Sequence, residues 1–350
     1  MPVRKLLRWL MPALAAALIS ACGSDEAPLV GGPVQWRFAI EETAGSVQDA
    51  YAQRFKQLIE EKSGGEIAVS IYPYGTLGTS DQVTELTSMG SVQFAMASPG
   101  HLGKLMPEVQ VFLLHFVLTD DPAVNEAALN DPVLLARLDE LYTEKGFRLL
   151  SVYSEGWMVW TTRGPVREPK DFEGVKMRVM TSPLLLAAYE AYGASPTPLP
   201  YGEVYSGLQL KMIDGQVNPV FAIQEMSFYE VTDWMTFGRQ APFIATAIAS
   251  AEFYNGLSEE LRAMVDETIA ELQPYIFEAQ QRYNTERLDM IRAAKPELKI
   301  VEKLAPEERD KFRAASLPVR ERFIEMAGPR GEEILNELLA AVERAKDQAQ

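Results

Sequence analysis

Residues 174–183, GVKMRVMTSP, decide how the rest of the chain is read. Val175, Met177 and Val179 alternate with Lys176 and Arg178, the period-2 pattern of a half-buried strand. The strand is expected to stop at Thr181. Ser182 then supplies an N-cap and Pro183 a first-turn proline for a helix that Gly193 closes. Arg178 therefore sits at the carboxyl end of a strand, beside a strand-to-helix corner. From these residues alone it is either a solvated strand-end charge or a cation aimed at something.

The same rhythm runs outward from this corner. Trp36–Ile40 reads as a strand, Val47–Lys62 as a helix, Ile67–Tyr72 as a strand, Ser80–Met89 as a helix ended by Gly90, and Val92–Ala97 as a third strand. This βαβαβ order implies a mostly parallel sheet with helices on its faces. Further on, Phe147–Tyr153 reads as a strand that Ser154-Glu155-Gly156 ends, and Trp157–Thr162 as a new one. Ser195–Pro200 is extended, and a helix runs from about Gly202 to Ile213. Pro219 argues against a central strand across Gln216–Ile223, leaving a turn that leads into a short strand or helix. Ser258 caps a helical pattern that reaches about Ala294, with Pro274 inside it. One helix that long can lie across two domains. Residues 305–347 read as two or three acidic amphipathic helices.

The first residues carry a different signal. Arg4, Lys5 and Arg8 precede the apolar run Leu10–Ile19, and Ile19-Ser20-Ala21-Cys22 ends it. This is a bacterial secretory leader of the lipoprotein type, too short and wrongly flanked for a membrane span. Cys22 is the only cysteine, so no internal disulfide explains it. Lipid attachment at Cys22 is expected, with residues 22–33 as a tether and the protein held in the periplasm. Removing the three leader cations from the 33 basic residues leaves 30 against 49 acidic ones, a net charge of −19. That surface repels phosphate backbones and anionic headgroups, so nucleic acid is not an expected partner, and the membrane is expected only through the lipid. Roughly 330 residues suffice for two domains.

The familiar local signals of catalysis are absent. No G-x-G-x-x-G, P-loop or G-x-S-x-G occurs, and two histidines, His101 and His115, give no metal-binding spacing. No cofactor or metal is expected, and binding is a better reading than catalysis.

KDFEGVKMRVMTSP from Lys170, PLPYGEVYSGLQLKMIDGQVNP from Pro198 and the terminal AAVERA together resemble the TRAP-type solute-binding proteins. These are receptors of ATP-independent carboxylate transporters, and the likeness runs from about Trp36 to Ala345. It implies an α/β, two-lobed periplasmic-binding-protein-like fold with crossing hinge strands and a long interlobe helix. Lobe I would hold residues 34–155 and about 244–285, and lobe II about 156–243 and 286–345. The membrane subunits of the transporter are the implied partners. Arg178 would pair with a substrate carboxylate, which its planar guanidinium fits through two parallel bonds. Asn218 would be a second contact.

Many members carry another arginine where Met158 stands, and one arginine suits a monocarboxylate better than a dicarboxylate. WRFAIEETAGSVQDAYAQRF, Ser98-Pro99-Gly100 and TSPLL with YEAYGASPTPLPYGEVYSGLQ are similar to the ectoine-binding members. There Glu42 would meet a cationic ring, which suits a compact zwitterion such as ectoine or hydroxyectoine, with Tyr201 and Phe221 as aromatic contacts. Trp157 and His101 depart from that pattern and stand as further candidates. As a plain protein feature, Glu42 is a loop carboxylate near a helix N-terminus, Asn218 a turn residue, and Tyr201 and Phe221 core aromatics. The alternatives are a ligand-sensing partner of a membrane sensor and, more remotely, a cleft enzyme. A simple monocarboxylate or 2-oxo acid is the alternative ligand.

Overall fold

A computed structural model describes residues 32–349. The leader and Cys22 lie outside the described residues. The strands are β1 (Val34–Ala39), β2 (Ile67–Tyr72), β3 (Phe94–Met96), β4 (Phe147–Trp157), β5 (Val159–Thr162), β6 (Lys176–Val179), β7 (Ser195–Pro198), β8 (Gly215–Asn218), β9 (Trp234–Thr236), β10 (Pro242–Ser250) and β11 (Lys299–Val301). They form two sheets, in the orders β2-β1-β3-β10-β4 and β11-β9-β5-β8-β6-β7. β1 runs parallel to β2 and β3, as the βαβαβ rhythm predicts, while β10 lies antiparallel between β3 and β4. In the second sheet β6 is parallel to both β7 and β8.

The helices form where caps and periodicity place them. Ser46 Oγ accepts from Asp49 N at 3.1 Å and opens Val47–Lys62. Ser182 Oγ accepts from Leu185 N and opens Pro183–Glu190. Ser258 opens the helix Glu259–Ala294, which Pro274 does not interrupt. The expected helix from Gly202 is shorter, Val204–Gln209. Pro306–Gln348 is two helices joined at Gly328, whose φ of 68° leaves helical space. Among the described residues no helix is long and apolar enough to cross a membrane.

Three differences from the sequence reading bear on function. β10, PFIATAIAS, carries no alternation because nearly every residue of it is buried. The expected break at 154–156 is absent, and β4 continues to Trp157. The pairing with β10 instead shifts by one residue, since Phe243 faces Gly156 and Ile244 faces Ser154. Glu155 is the extra residue of a β-bulge, a device that re-aims a side chain. A central strand does form where Pro219 argued against one: β8 is paired on both edges, by β5 and β6, and fits by stopping at Asn218, so that Pro219 follows it and precedes a short helix, Val220–Glu225.

The chain passes between the sheets at Met158 and again between Thr236 and Pro242. The Glu259–Ala294 helix packs on Val47–Lys62, on β4 and on Val220–Glu225, and so touches both halves. The first half's core holds Trp36, Phe38, Tyr51, Phe55, Phe94 and Tyr153. In the second, buried Trp160 donates to Tyr189 Oη at 2.9 Å and packs edge-on against Phe172.

Gly156 is bound into the crossing. Its φ is +110°, and a Cβ there would lie 2.4 Å from Asn284 Nδ2. That amide cannot swing away without loss, because it donates to Glu155 O at 2.7 Å and Gln280 O at 2.8 Å. Gly156→Ala should therefore destabilise the protein by about 1–3 kcal/mol, read as a lower urea midpoint at unchanged slope; an unchanged midpoint would contradict this account of the bulge.

Candidate ligand-binding site

Arg178 settles the question that its strand left open. It is 2% exposed, because helices and loops cover both faces of β6, and only Lys176 at the strand's start stays exposed. Its Nε donates to Leu199 O at 2.9 Å. No carboxylate lies within ion-pair distance of it among the described residues. Burial pulls the guanidinium down to about 10, opposed by the nearby hydroxyls of Tyr201 and Tyr74, so it remains charged at neutral pH. A buried, unpaired charge is costly unless an anion joins it.

Arg178 lines a cavity of about 420 Å³, mouth included, together with Glu41, Glu42, Gln48, Ser98, His101, Tyr201 and Asn218. Met180, Ala222 and Phe243 supply apolar wall. Arg178 is the one arginine or lysine in this lining among the described residues.

Two carboxyls share this lining. Glu41 and Glu42 lie in the turn between β1 and the Val47–Lys62 helix, and both are buried. Glu42 Oε2 accepts from Gln48 N at 3.2 Å, and Glu41 N donates to Gln48 Oε1 at 2.8 Å. Burial, and then the neighbouring Glu155, push the Glu42 carboxyl well above the usual range. Glu155, delivered by the bulge and wholly buried, is raised by burial to about 7. Glu225 accepts from Tyr201 Oη at 3.0 Å and is raised to about 9, by burial first and by Glu42 second. Arg178 thus shares the lining with Glu41 and Glu42, while Glu155 and Glu225, outside the lining, adjoin Glu42 and Tyr201 and help keep protons on the group.

The remaining candidates fall into two groups. Tyr201 packs edge-on against Tyr74, with ring centres 5.8 Å apart. Asn218 is buried at the end of β8, and its Nδ2 donates to Gln216 Oε1, which fixes the amide. His101 stands on the short helix Pro99–Leu102, with Nδ1 3.9 Å from Glu41 Oε1. Phe221 and Trp157 do not line the cavity. Phe221 is 1% exposed within the first half's core, and Ala222 presents to the cavity instead. Trp157, last in β4, points to a separate hollow beside Phe277 and Asn284. Met158 lies behind the site among Phe112, His115 and Tyr189. Glu41, Gln48, Ser98, Glu155 and Glu225 were not singled out from sequence. The doubled acid after the first strand was a usable signal for Glu41. Nothing local marks Glu155 or Glu225, which reach the site through a bulge and a helix end.

The profile described as "Bacterial extracellular solute-binding protein, family 7", DctP, matches residues 38–326. The chain belongs to this family. Among curated relatives, the ectoine/5-hydroxyectoine-binding periplasmic protein UehA of Ruegeria pomeroyi is 40% identical over 87% of this chain and 89% of its own. The ectoine-binding periplasmic protein TeaA of Halomonas elongata is 39% identical over 90% of this chain and 92% of its own. A high-resolution structure of the Halomonas elongata protein, from its TRAP transporter, superposes with a TM-score of 0.86 at 38% identity, over 89% of this chain and 99% of that one. This TRAP solute-binding protein therefore has the two-lobed α/β fold of those receptors, and its long helix is Glu259–Ala294.

The raised carboxyls set a pH dependence. Their unfolded value is near 4.5, so the native state keeps protons that the unfolded chain has released. The stability they contribute is complete below about pH 4.5 and is lost as pH rises through about 7 for Glu155 and about 9 for Glu225. The ligand-free protein should therefore melt at progressively lower temperature across that window, and Glu225→Gln should flatten its alkaline part. A wild-type melting temperature that climbs over the same range would show that these acids are not protonated in the fold.

Proposed function

We propose that this receptor binds a compact zwitterion of the ectoine or hydroxyectoine type between two closing lobes and hands it to the membrane subunits of a TRAP transporter. The observation that carries the reading is the buried guanidinium of Arg178, without an acidic partner, in the same cavity lining as Glu41 and Glu42. A ligand carboxylate would take the forked end of Arg178, each charge-assisted bond contributing about 1.5–3 kcal/mol. Asn218 would hold the same end. The ligand's cation would lie toward Glu42, releasing protons from the acid group as it binds, with the Tyr201 ring covering one face. The names of the two curated relatives support this ligand class.

In this reading lobe I comprises residues 34–155 and about 244–285, and lobe II about 156–243 and 286–345. Phe221 would contribute only through the packing behind Ala222, and Trp157 through the hinge. The protein would act without catalysis, cofactor or metal, tethered in the periplasm through a lipid on Cys22.

Calorimetric titration of the purified protein tests the ligand. Ectoine or 5-hydroxyectoine should bind, and Arg178→Ala should weaken binding by at least about thirtyfold. Undiminished affinity in that variant would sink the assignment of Arg178. Response only to simple monocarboxylates or 2-oxo acids would remove the zwitterion while leaving Arg178 in place. For the tether, intact-mass measurement of membrane-extracted protein should find a diacylglyceryl adduct that Cys22→Ser abolishes; an unmodified, freely released wild type would refute it.

A further inference from the structure

The cavity that Arg178 lines also holds an unusual set of polar atoms. Glu41 Oε1, Ser98 Oγ and His101 Nδ1 are all buried, and none has a hydrogen-bond partner among the described residues. All three residues line the same cavity. Buried polar groups are as a rule satisfied, so three orphans converging on one space call for a group that bonds to them.

Local structure explains why they are free. Ser98 occupies the N-cap position of Pro99–Leu102, where a serine hydroxyl ordinarily accepts from the helix's first N–H groups, yet it makes no such bond. Its backbone N–H instead donates to Glu41 Oε2 at 2.9 Å. That bond, with Gln48 holding the Glu41 backbone, fixes the Glu41 carboxyl and leaves Oε1 toward the cavity. His101 Nδ1 then stands 3.9 Å from Oε1, too far for a direct bond and about the separation that one bridging atom spans.

We propose that Glu41, Ser98 and His101 form a hydroxyl-recognising subsite, and that the preferred ligand carries a hydroxyl in addition to its carboxylate. The inference rests on the reading of this cavity as a solute site and names a further group of that solute. The chemistry of the three atoms selects the hydroxyl. Its single hydrogen is donated to Glu41 Oε1, and its oxygen accepts from the Ser98 O–H and from His101 in the Nδ1–H tautomer. An ammonium can donate but cannot accept, so it satisfies Glu41 alone. A methylene satisfies none of the three, and a site built to bond a hydroxyl rejects the analogue lacking it.

Affinities of ectoine and 5-hydroxyectoine, measured side by side by calorimetry on the full chain, test this directly. The wild type should prefer the hydroxylated compound by at least about tenfold. In Ser98→Ala and in His101→Phe the ratio should collapse toward one, while His101→Gln, which supplies an amide N–H donor at that position, should retain part of it. Equal affinities in the wild type, or a ratio that neither variant moves, would overturn the subsite and show that the three atoms hold only water. A second pair, 4-hydroxybutanoate against butanoate, separates this from the ligand class. A hydroxyl preference there without binding of either ectoine keeps the subsite and removes the zwitterion. Ectoine binding with no hydroxyl preference in either pair does the reverse, and absence of binding by all four compounds overturns both.

Discussion

The arrangement depends on a guanidinium taken out of water without an anion to meet it. Arg178 is fully charged at neutral pH, lies 2% exposed, and has one backbone carbonyl for a partner at Nε. A fold tolerates such a group when the strand beneath it is held rigidly, and β6 is paired on both edges, by β7 and β8. The uncompensated charge opposes closure of the empty protein and favours closure around a carboxylate. A receptor needs that asymmetry, because a pocket satisfied without its ligand has no reason to discriminate.

The acids nearby act in the contrary sense. Were Glu42, Glu155 and Glu225 all ionised at once in a buried space, their repulsion would hold the walls apart. Burial and mutual proximity instead keep protons on them, so the empty cavity is closer to neutral than its composition suggests. In the proposed reading a ligand cation would displace some of those protons, and its affinity would include their release. The acidic surface of the whole chain says nothing about this local balance, which depends on how far these acids keep their protons near one buried arginine.

Much of the fold was legible because its elements are bounded by strong local chemistry. Val47–Lys62 and Ile67–Tyr72 fall where cap and alternation put them, and Ser258 begins the long helix as read. What escaped was decided by tertiary burial. β10 has no period because both its faces are covered, and β4 runs through Gly156 because a bulge lets a left-handed glycine stay within a strand. The site was legible in the same uneven way. Arg178 could be placed at a corner, but alternation alone left it either solvated or aimed inward, and the covering layers put it inside. Phe221 and Trp157 carry the right chemistry and face elsewhere, a matter of one helical position for Phe221 and of strand direction for Trp157.

Coupling between the two walls runs through a single amide. Asn284, in the middle of the long helix, donates to Glu155 O and accepts from Phe221 N at 3.3 Å. Glu155 is the bulge residue that carries an acid up to Glu42 on the first wall, and Phe221 belongs to the short helix that follows Asn218 on the second. One side chain thus fixes the backbone of both. Rotating one half against the other must strain or break these bonds, because the helix that bears Asn284 packs on both halves and cannot follow each of them. The bulge, the left-handed glycine and the amide therefore form one device: they hold Glu155 beside Glu42 and tie its position to the helix that packs on both halves. The acid cluster beside the cavity and the contact between the two halves are in that sense linked, because one side chain bonds the backbone of each.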